Sequence, residues 1–307
     1  MRAAQISELG GTPAVVEVAE PEAGAREVID VLAVALNPLD LAVAAGRFYG
    51  GHPSLPYIPG SEAVALTADG VRVYVFGDGL GVARNGTLAE RATVAADRFV
   101  PVEEDVDDGT AVTVGIAGII GWEAVKRGRV GPGDRVLVLG ASGTSGRIAV
   151  QGAKLSGAER IVAAGRDLQR LERALELGAD KTVALDGDFA AACGGDGPTV
   201  VIDPLWDGPV AAATEAAAPR ARIVHYGQSA GPEATFKSGT VRGKELELIG
   251  VSNFARTNQE LRELHGELLR HAKSGAIRVD FETFALDEVD GAWRRQAAGA
   301  KAVVTLQ

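Results

Sequence analysis

The sequence predicts an α/β protein in which a doubly wound parallel sheet is joined to a second, β-rich domain. Before about residue 112 the apolar residues fall in short β-like runs broken by turns, and after it strands and helices alternate. The stretch DRVLVLGASGTSGRIAVQGAKLSGAERIVAAGR at 134–166 reads as an apolar strand, a glycine-rich turn, a helix and a second apolar strand. Those two patterns together specify a parallel sheet covered on both faces.

In chain order, the first region predicts strands over 2–6, 15–18, 27–36, 62–66, 71–76 and 87–94. The second predicts strands over 135–139, 160–164, 181–185, 199–203 and 221–226, with helices between them. An apolar run at 245–251 would form an edge strand, followed by a helix over 257–273. The tail over 279–307 reads strand, helix, strand and is expected to return to the first domain. The expected domains are therefore 1–112, completed by 275–307, and 113–274. There is no internal repeat.

The glycine-rich turn carries the chemistry. Gly140, Gly143 and Gly146 recur at threes, where the backbone must turn tightly and approach a diphosphate. The spacing is GxxGxxG, whereas GxGxxG is the commoner form. The helix expected over 145–155 begins at this loop, and its free N–H groups and positive dipole end suit a bridging diphosphate. The small side chains of Ala141, Ser142, Thr144 and Ser145 leave room for one. A plain strand-to-helix turn is the alternative, and the second strand at the expected distance favours the dinucleotide.

Which dinucleotide is decided after the second strand, in Gly165, Arg166, Asp167, Leu168, Gln169 and Arg170. No acidic residue stands directly at the strand end to accept from a ribose 2′-OH, whereas an arginine there can clasp a 2′-phosphate. Arg166 and Arg170, four apart, are the expected NADP(H) contacts. They are otherwise two solvated arginines. Asp167 either pairs with Arg170 or caps the following helix.

Composition narrows the function classes. A chain of 307 residues with 46% hydrophobic and 23% charged residues can build cores for one large or two medium domains. No apolar run is long enough to span a membrane. The start, MRAAQISELGG, lacks the apolar segment of a signal peptide, so a cytoplasmic protein is expected. Net charge is −10 without a basic block, which argues against a nucleic-acid partner. The single cysteine, Cys193, excludes an intrachain disulfide and reads as an incidental thiol.

Taken together, ALNPLDLAVAAGRFYG at 35–50, PYIPGSEAVA at 56–65, the GASGTSG loop, ELGADKTVAL at 176–185, VVIDP at 200–204 and HYGQSAG at 225–231 resemble the medium-chain dehydrogenase/reductase superfamily over essentially the whole chain. Within it the chain is most similar to the zinc-independent quinone oxidoreductases. The resemblance implies a Rossmann domain and a GroES-like β-rich domain. It also implies a homodimer built across the Rossmann sheets. Zinc-dependent relatives need a cysteine before an aspartate and a PGHE segment. This chain has Asn37 and Pro38, and Pro59, Gly60, Ser61 and Glu62, in those places. Its histidines, His52, His225, His265 and His271, are scattered: the last two are expected to be solvated, and His225 to be a core or cofactor-adjacent residue. No metal is expected.

The resemblance further implies that Asn37, Asp40 and Tyr49 line the substrate cleft, with Tyr49 as proton or hydrogen-bond donor. Read alone, Tyr49 equally covers a core edge, Asn37 caps a helix, and Asp40 is a helix N-terminal charge. For the cofactor it implies Asp203, Tyr226, Gly227, Gln228 and Ser229 at the strand ends, with Asn253 and Phe254 after the edge strand. Two departures stand out. Gly118, Ile119, Ile120 and Gly121 replace the usual Gly-Leu-Thr-Ala, removing a hydroxyl, and Ala68, Asp69 and Gly70 shorten a connection, leaving 76–85 to reshape the cleft. Three functions follow as expectations: an NADPH-dependent reductase of quinones or α,β-unsaturated carbonyls, a biosynthetic enoyl or enone reductase, and a non-catalytic NADPH-binding protein.

Overall fold

The chain opens on a two-stranded antiparallel ribbon, β1 (Arg2–Gln5) with β2 (Ala14–Glu17). Strand β3 (Glu27–Ala35) follows, then helix α1 (Pro38–Ala44), β4 (Glu62–Leu66), β5 (Arg72–Phe76), β6 (Arg91–Val94) and β7 (Val100–Pro101). Helix α2 (Asp108–Thr113) closes this run, with Asp107 capping it through Thr110 N–H. The computed structural model describes residues 1–103 and 105–306, so Glu104 and Gln307 lie outside the described residues.

Helix α3 (Ile119–Arg127) leads into an alternating series: β8 (Arg135–Val138), α4 (Thr144–Leu155), β9 (Arg160–Gly165), α5 (Leu168–Glu176), β10 (Lys181–Ala184) and α6 (Phe189–Cys193). It continues through β11 (Val200–Asp203), α7 (Asp207–Ala216), β12 (Arg222–His225), α8 (Ser238–Gly243) and β13 (Glu247–Gly250). Helix α9 (Asn258–Lys273), β14 (Glu282–Ala285), α10 (Val289–Ala297) and β15 (Ala302–Thr305) complete the chain.

The six strands of the second series form a parallel sheet in the order β10-β9-β8-β11-β12-β13. The order reverses between β8 and β11, which makes their carboxyl ends the topological switch point. Apolar side chains leave both faces, because a parallel strand covered twice has no solvent side. Val136, Val138, Ile202 and Val224 enter one core with α3, α4 and α5, while Leu137, Leu139, Val201 and Ile223 enter another with α6 and α7.

The other sheet runs β14-β15-β3-β4-β5-β7, with β6 also paired to β3. The tail returns as expected, with β15 antiparallel to β3. Residues Met1–Ala117, Arg256–Lys273 and Val279–Gln307 form one unit, and Gly118–Ala255 with Ser274–Arg278 the other. This corrects the placement of the helix expected over 257–273, which belongs to the first unit. The reason is its buried stripe, Leu261, Leu264, His265, Leu268 and Leu269, at helical spacing. His265 Nε2 faces Ala111 O at 2.9 Å and must be the donor, since a carbonyl can only accept; Arg262 donates to Phe99 O at 3.1 Å. No helix among the described residues is long and apolar enough to cross a membrane.

Candidate functional site

At the end of β8 the backbone turns through Gly140, whose φ of +60° is a left-handed value that a side chain resists. A Cβ there would also meet Pro204 Cγ at 2.9 Å. Gly143 N–H closes the turn on Gly140 O at 3.0 Å. A Cβ on Gly146 would stand 2.5 Å from Gly140 O, so the first turn of α4 sits directly on the loop. Gly143 is the N-cap of α4 and no side chain caps its first turn. Ser142, Thr144 and Ser145 remain partly exposed around it. The cradle is therefore built from close backbone, small hydroxyl side chains and a helix N-terminus, which fits a diphosphate.

The neighbouring strand ends complete this face of the second unit. Tyr226, just past β12, donates its hydroxyl to Ser145 Oγ at 3.2 Å, and burial holds the phenol above its ordinary range. Gly227 passes so close that a Cβ would lie 2.7 Å from Pro204 O, and Ser229 Oγ donates to that same oxygen at 3.3 Å. Asp203 is fully buried. Its Oδ1 accepts from Leu205 N and Trp206 N at 2.9 and 3.0 Å, so it shapes the loop after β11. Gln228 and Phe254 are exposed, while Asn253 is buried in the turn after β13.

At the end of β9, Gly165 is buried and Arg166 is exposed. Asp167 is the N-cap of α5, accepting from Gln169 N at 3.0 Å and Arg170 N at 3.3 Å. Capping, one of its two expected roles, is therefore observed. Arg166 precedes the helix and Arg170 lies in its first turn, both exposed.

The first unit contains a separate polar network, centred on Asn37 and Glu62. Asn37 Nδ2 donates to Ala35 O at 3.1 Å and Glu62 Oε1 at 2.7 Å, while Oδ1 accepts from Lys301 Nζ at 2.8 Å. Lys301 also donates to Leu36 O at 2.9 Å and lies 3.7 Å from Glu62 Oε1. Glu62 Oε2 accepts from Tyr74 Oη at 2.8 Å and Ile116 N at 2.6 Å. Asn37 N–H donates to Asp40 Oδ2 at 2.7 Å, the reach-back half of a capping box with Pro38 at N1.

Burial raises the Glu62 carboxyl, and Lys301 opposes that rise; burial lowers the Lys301 ammonium, and Glu62 opposes that fall. Burial also raises Asp40, against the hydrogen bond from Asn37 N–H. The Tyr57 phenol is pushed up to about 12 by burial and by the charge of Asp40.

Comparison with known proteins adds the lineage. Residues 146–270 match the zinc-binding dehydrogenase family model. The chain is 29% identical over 299 residues to a phenolphthiocerol/phthiocerol polyketide synthase polypeptide of Mycobacterium tuberculosis, covering 90% of this chain and 13% of the length of that one. It is 27% identical to quinone oxidoreductase of Rattus norvegicus, covering 91% of this chain and 88% of the relative. Among solved structures, the quinone oxidoreductase of Thermus thermophilus, also determined in complex with NADPH, superposes with a TM-score of 0.83 at 28% identity, covering 100% of both chains. These likenesses support the medium-chain dehydrogenase/reductase superfamily as the lineage of the chain.

Against the expectations for that superfamily, the cofactor residues fall into three groups. Gly140, Ser142, Gly143, Thr144, Ser145 and Gly146 meet Tyr226, Gly227 and Ser229 around Pro204. Arg166 and Arg170 lie at the end of β9. Asp203 turns inward. Asn37 and Asp40 are joined, but the Asn37 amide donates to two internal partners and its oxygen accepts from a third. The Asn37 amide nitrogen and oxygen are thus both engaged within the first unit. Tyr49 stands apart: it is 81% exposed, with its ring 4.4 Å from that of Phe48.

His265 is also corrected, being fully buried and stacked on Tyr74 at 4.1 Å. Ile120, at the position where the resemblance implies a hydroxyl, packs on the core beside α4. Lys301 escaped the sequence reading because it is 264 residues from Asn37 and sits in a short Ala-Lys-Ala run without a motif. Tyr57 and Glu62 lie within the PYIPGSEAVA segment, where adjacency to Ser61 was the available signal. Among the described residues no group of three or more His, Cys, Asp or Glu side chains is placed to hold a metal ion.

Proposed function

We propose that this protein is an NADPH-dependent, zinc-independent reductase of quinones or α,β-unsaturated carbonyls. The observation that carries the reading is the cradle at Gly140, Gly143 and Gly146 under the uncapped start of α4, with Arg166 exposed at the end of β9 in place of an acidic residue. The loop and the helix N-terminus would hold the diphosphate, Arg166 and Arg170 the 2′-phosphate, and the backbone at Tyr226, Gly227, Gln228 and Ser229, with Asn253 and Phe254, the nicotinamide half. When bound, the nicotinamide supplies a hydride.

The residues of the first unit point away from metal-assisted alcohol oxidation. Where zinc-dependent relatives carry a cysteine and a histidine, this chain has Asn37 and Ser61, an amide and a hydroxyl that are poor ligands for zinc. A conjugated acceptor suits such a site, because hydrogen-bond donors and solvent can stabilise and protonate the oxyanion it develops. Tyr49 is the proposed donor, its side chain exposed and able to turn toward an acceptor. Asn37 and Asp40 act as positioning residues through the buried network. The protein is proposed to work in the cytoplasm as a homodimer formed along β13.

NADPH oxidation, followed by the loss of its nicotinamide absorbance with a panel of quinones and simple enones, tests the reading. Turnover on several of them is the expected result. A second reading, a reductase of enoyl thioesters in a biosynthetic pathway, is favoured by the similarity to the polyketide synthase polypeptide over 90% of the chain. Turnover confined to thioester-bound enones selects it. Tight NADPH binding with no turnover on any acceptor selects a non-catalytic binding protein instead.

A further inference from the structure

His225 ends β12 directly opposite Asp203, which ends β11; the two are paired in the sheet register. Its Nδ1 lies 2.8 Å from Asp203 Oδ2. Asp203 Oδ1 already accepts two backbone N–H groups, from Leu205 and Trp206, and Oδ2 is left to accept from the ring. A neutral imidazole therefore carries its proton on Nδ1, and Nε2 is left as an acceptor without a protein partner among the described residues. The side chain keeps 25% of its surface exposed, whereas Asp203 has none.

Packing fixes the ring as firmly as the hydrogen bond does. Trp206 lies against it, with ring centroids 4.0 Å apart, and Phe236 backs Trp206 edge-on at 5.5 Å. Trp206 and Asp207 hold left-handed φ values of +64° and +54°. Two consecutive non-glycine residues in that region are strained, and such strain gathers at ligand sites. The loop that bears them is the one whose Pro204 packs on Gly140 and Gly227.

The position has a meaning in this sheet. Strands β8, β9 and β10 form one mononucleotide-binding half and β11, β12 and β13 the other, so a dinucleotide crossing the switch point lays its second riboside over the ends of β11 and β12. We propose that His225, held by Asp203 and Trp206, is a specificity residue for that riboside, its Nε2 accepting a hydrogen bond from a ribose hydroxyl of the nicotinamide half. It would do for the second ribose what a strand-end carboxylate does for the first in NAD-binding relatives, without adding a charge. The inference rests on the dinucleotide reading given above.

The test compares NADPH with adenosine 2′,5′-bisphosphate, which carries the adenine half alone, by calorimetric titration of the full chain. His225→Phe keeps a ring against Trp206 and removes the acceptor. It is expected to weaken NADPH about tenfold, the worth of one good hydrogen bond, and to leave the bisphosphate unchanged. His225→Gln restores an acceptor and should recover part of the loss. Unchanged NADPH affinity in His225→Phe, or equal weakening of both probes in both variants, overturns the assignment. Failure of the unaltered protein to bind either probe overturns the dinucleotide reading itself, and this inference with it.

Discussion

Lys301 shows how much one side chain can organise. Its ammonium is shared by Leu36 O and Asn37 Oδ1, close to Glu62, inside a unit where all these residues are buried. A buried pair gains stability only when its remaining donors and acceptors are satisfied, and removing one partner strands the other. Lys301→Met is therefore expected to lower the free energy of unfolding by about 3–5 kcal/mol, measured by denaturant titration; a loss below about 1 kcal/mol would mean that Glu62 is protonated and needs no partner.

His265 provides a pH signature at the same scale. Burial lowers the imidazole from its ordinary value of 6.5 to about 4, against a smaller opposing effect from the hydrogen bond at Ala111 O. The folded chain thus holds the ring neutral, while the unfolded chain takes up a proton as pH falls through the ordinary histidine range. Stability from this group is complete above that range and disappears as pH drops toward about 4, a loss of roughly 2–3 kcal/mol. Replacement by phenylalanine should flatten the thermal-melt profile across the window, and a profile as steep as that of the unaltered protein would assign the slope to another group. Spacing placed His265 on a polar helix, and its burial was not legible because it depends on α9 packing with the first unit.

Among elements, the loop over 77–85 has its own staple. Asp78 accepts from Arg26 Nε at 2.7 Å, Arg84 Nη2 at 2.7 Å and Ala95 N at 3.2 Å. Burial pulls its carboxyl up, but the hydrogen bond from Arg26 and the charge of Arg84 outweigh this and hold it at about 2. Arg84 binds back to Asp78 O and across to Thr93 O, both at 2.7 Å. The loop ends at Asn85, whose Oδ1 accepts from Ile58 N at 3.0 Å, so the staple also fixes the segment next to Tyr57. Asp78→Ala should cost about 2 kcal/mol and expose the loop to proteolysis before global unfolding. Cleavage no faster than in the unaltered chain would show that the loop is held from elsewhere.

The same scale separates what the sequence could reveal. Strands over 62–66, 135–139 and 199–203 were legible to within a residue, because apolar runs and turn residues bound them locally. The run over 87–94 shortened to Arg91–Val94, since Thr87 and Leu88 spend their N–H groups on Gly60 O and Pro59 O. The glycine loop was fully legible from spacing. The Asn37, Glu62 and Lys301 network was not, because its members meet only through the return of β15 onto β3.

At the scale of the whole molecule, β13 is the edge of the parallel sheet, and it alternates as an edge should. Ile249 packs on the core beneath, while Leu248 is 59% exposed. An apolar edge of this kind is a template for a second strand, and a two-fold contact would cover it. Leu248→Glu is expected to convert a dimer to a monomer in sedimentation velocity, with secondary structure unchanged. A dimer that survives the substitution would place the contact on another surface.

Binding of NADPH by the second unit underlies every functional role proposed for this protein. Its most direct test is calorimetric titration of the purified chain with NADPH and with NADH, repeated on Arg166→Ala. Tighter binding of NADPH, with a loss of at least about tenfold in the variant that spares NADH, is the predicted result. No binding of either nucleotide, or equal loss of both in Arg166→Ala, would contradict it.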